Sequence, residues 1–430
     1  MSSASTNSAL DFRVTEDNNL TGTLPTELGL LGKLRWVYLD SNLGIQGSIP
    51  DSYENLKNLE VFALQCNELS GSIPDWIGSW SNLKVLSLSN NALTGILPAS
   101  MSRMTNLKGL ALDINMLSGY IGEIGTLINL QRVYLGSNKF EGRIDDNFLR
   151  NHKALVHLDL SKNLMTGTVP PHFFRVENMT VMDLHGNKLD GTLPNFVENN
   201  ILQFLSLHDN EISERVPPTI INLKSLTHLD IAGNNFSQAI PTQLSFMSGL
   251  EHLFLGNNPF AVGPVPDFSK LVNLTQLSLK ATQLSGYIPT WLGKLNKLSF
   301  LDLGTNGLNG QMPSEIGNLE SLRVLLFDEN KLTGPIPNSF KHLAQLKTIF
   351  LDNNTITGLT SAVCALHGLD VFLSDCGGPE PELECTCCEY CCEDAATSCL
   401  EKDALSRFDP IWNFKYERDD ERFTGSFIKS

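Results

Sequence analysis

The chain has 430 residues, with 31 basic against 47 acidic side chains and a net charge of −16. It shows no basic run to meet a nucleic acid or an anionic membrane surface, and no stretch of 18 apolar residues to span a bilayer. Half of the negative charge lies from Asp375 onward, where 14 acidic side chains face 6 basic ones, so the long body before it is only mildly acidic.

Residues 1–9 are small and polar and carry no apolar core of a secretory signal. They are expected to be a disordered remnant, with the chain as the C-terminal part of a longer gene product. From Leu10 a phrase recurs, shown cleanly by residues 155–170, LVHLDLSKNLMTGTVP. Leu158 and Leu160 alternate with polar residues, as a short strand with one buried face requires. Asn163 ends the strand, and Gly167 and Pro170 punctuate the turn. The asparagine returns at 18, 42, 67, 91, 115, 138, 163, 187, 210, 234, 258, 306, 330 and 354, with Thr282 in its place once, at steps of mostly 24 residues.

About fifteen in-phase copies define a repeat architecture in which no unit buries its own apolar stripe and each needs a neighbour. At this point the chain resembles the leucine-rich repeat family, over residues 10–363 and on to the last strand phrase near Cys376. Its LTGxIP phrase, clean at 332–337, is similar to the subclass found in plant-type receptor ectodomains. The resemblance implies an α/β repeat fold, a right-handed solenoid (horseshoe or superhelix) with a parallel sheet on the concave face. The asparagine amides are expected to satisfy backbone groups in the turns, with Thr282 a tolerated weakness. The second half of each repeat is expected to return as short helical or irregular turns.

Residues between the core positions of each strand are expected to form the exposed face. One column holds Tyr38, Tyr134, Asp159, Asp183, Asp230, Phe254, Asp302 and Phe350. The next holds Trp36, Arg132, His157, Phe204, His228, His252 and Phe300, and on the other side stand His185 and His208. Histidine and aspartate are metal-binding and acid–base residues, so a metal or hydrolytic site is conceivable. A flat strand surface lacks the water-excluding cavity that catalysis needs, and solvated polar residues are its bland explanation. The aromatics favour ligand recognition, because large rings on a rigid face act as interface anchors. Histidines at an interface would make binding change between about pH 5 and 7.

Sequons at Asn178, Asn235 and Asn273 are candidate glycosylation sites, with further ones at Asn19 and Asn353. Arg-x-Arg, which plant-type peptide receptors often carry on a late strand, does not occur. After the last strand phrase come Cys376, Cys385, Cys387, Cys388, Cys391, Cys392 and Cys399, with Cys364 just before. An even set of eight in an exported protein reads as a disulfide-stapled cap over residues 364–400, with the pairing left open among 105 possibilities. A zinc site is the competing reading, weakened by the lack of a nearby histidine. The CxCCxxCC ending looks like the C-terminal cap of diatom and other stramenopile leucine-rich repeat proteins, which implies a secreted or surface protein, often anchored in the membrane upstream of the repeats. Residues 401–430 form an acidic tail whose Ile411, Trp412, Phe414 and Tyr416 are expected to pack back on the body.

These readings converge on a non-catalytic extracellular recognition protein without a cofactor or metal. Its partners are expected to be proteins, peptides or polysaccharides, and nucleic acid is not among them. An inhibitor of a secreted glycan-degrading enzyme, as in the polygalacturonase-inhibitor branch that shares the LTGxIP repeat, and a structural or adhesive wall protein are the alternatives.

Overall fold

The computed structural model describes residues 10–13, 19–42, 44–145, 147–375, 383–385, 387, 388, 390 and 391. The chain divides into two compact units between Asp190 and Gly191. In the first, short strands pair in parallel and in chain order: Leu34–Tyr38, Val61–Ala63, Val85–Ser87, Gly109–Ala111, Arg132–Tyr134, His157–Asp159 and Val181–Asp183. In the second the same ladder runs through Phe204–Ser206, His228–Asp230, His252–Phe254, Gln276–Ser278, Phe300–Asp302, Val324–Leu326, Thr348–Phe350 and Val371–Ser374.

The repeat phrase explains each strand. Leu155, Leu158 and Leu160 are fully buried, as are Leu205 and Leu207 in the second unit. A strand of three residues buries too little by itself, and about 25 cal/mol per Å² of apolar area accumulates only when successive units stack.

The asparagine column supplies the polar half of that stacking. Asn163 donates its amide to Leu160 O at 3.2 Å and Ser161 O at 2.9 Å in its own repeat, and to Leu135 O at 3.0 Å in the preceding one. Its Oδ1 accepts the Phe140 N–H at 2.9 Å. Asn91, Asn115, Asn187, Asn258 and Asn330 repeat the pattern. Each bond is worth about 1 kcal/mol net, and the carbonyls it satisfies would otherwise be enclosed and unpaired. Thr282 keeps only part of this: its hydroxyl donates to Leu279 O at 2.6 Å.

The return half holds the expected short helical turns. They are 3-10 segments such as Pro171–Arg175 and Ser314–Asn318, and most follow a proline whose φ is preset, Pro170 at −63° and Pro313 at −70°. It also holds parallel strands that the sequence reading did not foresee. The Leu-Thr-Gly phrase pairs with its neighbours as Ala92–Ile96, Met116–Gly119, Lys139–Arg143 and Leu164–Gly167. Gly167, at φ +85°, takes a conformation that a side chain would disfavour, and this is why glycine punctuates the phrase.

Candidate ligand-recognition face

Strand register fixes which candidate side chains share the face of the sheet. In the first unit Arg132 lies beside His157, and Tyr134 beside Asp159 and then Asp183. In the second, one row runs Phe204, His228, His252, Gln276, Phe300 and the next runs Asp230, Phe254, Ser278, Asp302, Leu326, Phe350.

Within the first unit Trp36 and Tyr38 pack on an apolar cluster of Val61, Ala63, Val85, Ala111 and Tyr134. The Arg35 guanidinium lies 4.9 Å from the Trp36 ring centre and pairs with Glu60, which also meets Lys84 at 3.1 Å. Burial opposes the Glu60 charge, yet its bonds from Arg35 and Lys84 hold the carboxyl below its ordinary range. Tyr134 and His157 are bonded, Oη to Nδ1, at 3.3 Å, with ring centres 4.6 Å apart.

Beyond them, His185 Nδ1 meets Asp183 Oδ1 at 2.6 Å. Asp159 accepts the Ser161 N–H at 2.9 Å and hydroxyl at 2.7 Å. Burial and the neighbouring Asp183 carboxylate push Asp159 up to about 6. These groups are hydrogen-bonded to one another along strands, and among the described residues their donor atoms do not converge as a set of metal ligands.

The second unit carries a slab of rings. Phe204 stacks on His228 at 4.2 Å, and His228 stands 5.3 Å from His252 and 5.7 Å from Phe254. Burial holds the His252 imidazole below its ordinary range, so any pH response there falls at more acid values than exposed histidine gives. His208 approaches Asp209 at 3.3 Å and Asp230 at 3.9 Å.

Exposure departs from the sequence expectation. Phe254 is 0%, Phe300 and Phe350 2% and Tyr134 6% exposed, whereas Trp36, Tyr38 and Phe204 remain partly open. His157, His208, His228 and His252 and the carboxyls of Asp183, Asp230 and Asp302 are also buried, while Arg132 and His185 are partly open. Strands about 4.8 Å apart place large side chains of successive rows in contact, and each shades the next.

Two residues that bear on this face were missed. Asp328 and Asp352 stand two positions beyond the strand residues Leu326 and Phe350. The signal for them is an acidic residue at the same phase of two successive repeats.

Among the cysteines, Cys364–Cys387 and Cys385–Cys388 are disulfide-bonded. The Cys364, Cys385 and Cys387 sulfurs lie within 4.8 Å of one another because these bonds are adjacent, and sulfurs so committed leave no thiolate for zinc. Cys376, Cys392, Cys399 and the Cys391 side chain lie outside the described residues, as does the tail from 392 on. Asn178 and Asn235 are exposed and Asn273 partly so. Asn178 and Asn273 donate their Nδ2 to Lys153 O at 2.8 Å and Ser248 O at 3.0 Å, a repeat-to-repeat bond also made by Asn82 and Asn106.

Comparison with known proteins agrees with this architecture. Leucine-rich repeat family models match residues 57–117 and 128–189, and residues 225–247 and 321–343. The chain is similar to two proteins of Arabidopsis thaliana: Receptor-like protein 31, 33% identical over 93 residues (21% of this chain, 11% of that protein), and Receptor-like protein 39, 33% identical over 116 residues (25% and 13%). It therefore matches only a small part of either relative's length. Among solved structures it resembles a TDR receptor, with TM-score 0.78 and 25% identity over 85% of this chain and 65% of that one. It also resembles the Arabidopsis receptor kinase HAESA, solved with the peptide hormone IDA and the co-receptor SERK1, with TM-score 0.71 and 31% identity over 79% and 57%. These matches agree with a leucine-rich repeat fold, and the repeats of this chain are similar to those of plant receptor-like proteins and receptor ectodomains.

Proposed function

We propose that the chain is a non-catalytic recognition module, exposed on the cell surface or secreted, that binds a peptide or protein segment across the face of its parallel sheet. The observation that carries this reading is the ring slab Phe204, His228, His252 and Phe254, where side chains lock one another in place and Phe204 stays partly open. Phe204, held in place against the buried His228, loses little entropy when a ligand covers it. Support also comes from HAESA, a similar chain solved with a peptide hormone. Disulfides at Cys364 and Cys385 favour an oxidising compartment. In this reading residues 10–363 form the repeats and 364–400 the cap.

The test is site-specific photo-crosslinking. A benzoylphenylalanine replaces Phe204 in one sample and Tyr287, 74% exposed on the return half, in another. Peptides selected from a display library for binding to the chain are expected to crosslink from position 204 and not from 287. Crosslinking from 287 alone, or a library that yields no binder, contradicts the reading.

A further inference from the structure

The sheet face of the second unit ends in crowded carboxyls, where Lys280 is the cation that acts on Asp302 and Asp328. Asp302 accepts the Gly304 N–H at 3.0 Å and the Ser278 hydroxyl at 3.3 Å. Asp328, one repeat on, leans over the same glycine: a Cβ at Gly304 would come within 2.8 Å of its Oδ1. Asp352 follows at the same phase of the next repeat, since Leu326 pairs with Phe350. Asp302 is 3% and Asp352 7% exposed, while Asp328 is partly open.

Asp352 Oδ1 is enclosed and accepts no hydrogen bond among the described residues. An acceptor so placed is destabilising until a donor reaches it. None of the described ion pairs includes Asp302, Asp328 or Asp352.

A metal ion fits this set poorly, because among the described residues no three of these carboxylates bring oxygens within 4.8 Å of one another. A guanidinium fits better, since its five donors spread over a plane and can bridge carboxylates that a point charge cannot. We propose that Asp328, flanked by Asp302 and Asp352, seats the guanidinium of an arginine presented by a peptide lying on the sheet. This assignment rests on the sheet-face reading above and names the chemistry of its partner.

The protonation of the cluster supports it. Burial, then the Asp328 charge, pushes Asp302 up to about 7, and burial with Asp328, Asp375 and Glu329 pushes Asp352 up to about 7. Asp328 is raised by burial, with Lys280 opposing and Glu329 adding to the rise. A bound cation lowers all three, so binding at pH 7 releases protons.

The probe is an acetylated, amidated Arg-Gly-Arg-Gly-Arg peptide, titrated calorimetrically into the whole chain at pH 7 in two buffers of different ionisation enthalpy. Proton release is expected, together with a loss on the order of tenfold in affinity for Asp328→Asn/Asp352→Asn. The charge-matched variant Glu211→Gln/Glu320→Gln, at exposed sites, is expected to bind as the parent does. Equal losses in both variants reveal only attraction to an acidic protein and overturn the assignment, as do binding without proton release and equal binding of the lysine analogue. Proton release is read on the unaltered chain, so a folding defect in a variant does not mask the answer. If library peptides still crosslink from position 204 while the arginine probe ignores the Asp pair, the sheet-face reading stands and this assignment falls.

Discussion

Single side chains carry most of what can be tested at once. In repeat after repeat, the residue before the column asparagine sits at positive φ: Ser41, Asn90, Ser137, Lys162, Thr305 and Gly233 among them. Ile114 occupies that place at φ +54° with half its surface exposed, so a β-branched residue bears strain without a burial gain. Ile114→Gly is expected to raise stability by about 1 kcal/mol in urea denaturation. Asn163→Ala removes the donor to three carbonyls and the acceptor for one N–H, and is expected to cost about 3 kcal/mol in the same assay. Asp302 behaves oppositely to a salt-bridged carboxylate. Its folded value of about 7 lies above the ordinary 3.8, so its contribution is full below about pH 4 and is lost as pH rises through 7. Asp302→Asn is therefore expected to be more stable than the parent at pH 8, on the order of 2 kcal/mol, and equal to it at pH 4, as read by thermal melts across pH.

At the level of elements, the strand and its asparagine were legible because period-two apolar alternation and a fixed repeat step leave one register. The 3-10 segments were legible in outline, since proline presets the first turn. The paired Leu-Thr-Gly strands were not, because their edges bond neighbours that only stacking brings alongside. Burial of Phe254, Phe300 and Phe350 was equally hidden: alternation assigns a side chain to a face but says nothing of the side chain one row away. The cysteine cap was visible as a count, and two of its bonds now have partners. Cys364 follows Ala362 and Val363, both buried, so its bond to Cys387 fastens a helix to the chain 23 residues on. Cys364→Ser/Cys387→Ser is expected to cost about 3 kcal/mol, seen as faster amide exchange in Ser361–Cys364 and Val371–Ser374.

For the whole molecule, repetition decides the fold and leaves function to the residues that break it. The leucines and asparagines are nearly the same in every repeat, so the informative positions are those where neighbours differ, such as Phe204, His228, His252, Asp302, Asp328 and Asp352. Composition alone pointed away from nucleic acid. It could not separate a receptor-like face from a wall component, because both want the same polar, rigid strands. The central claim is that the sheet face is where a ligand lies. It is tested most directly by Gln276→Asn, which completes a sequon with Ser278 and places a glycan in the row between His252 and Phe300. The affinity of a library-selected peptide for the glycosylated variant is expected to fall by about a hundredfold or more, with enzymatic deglycosylation restoring it. Unchanged affinity with the glycan in place would contradict the account.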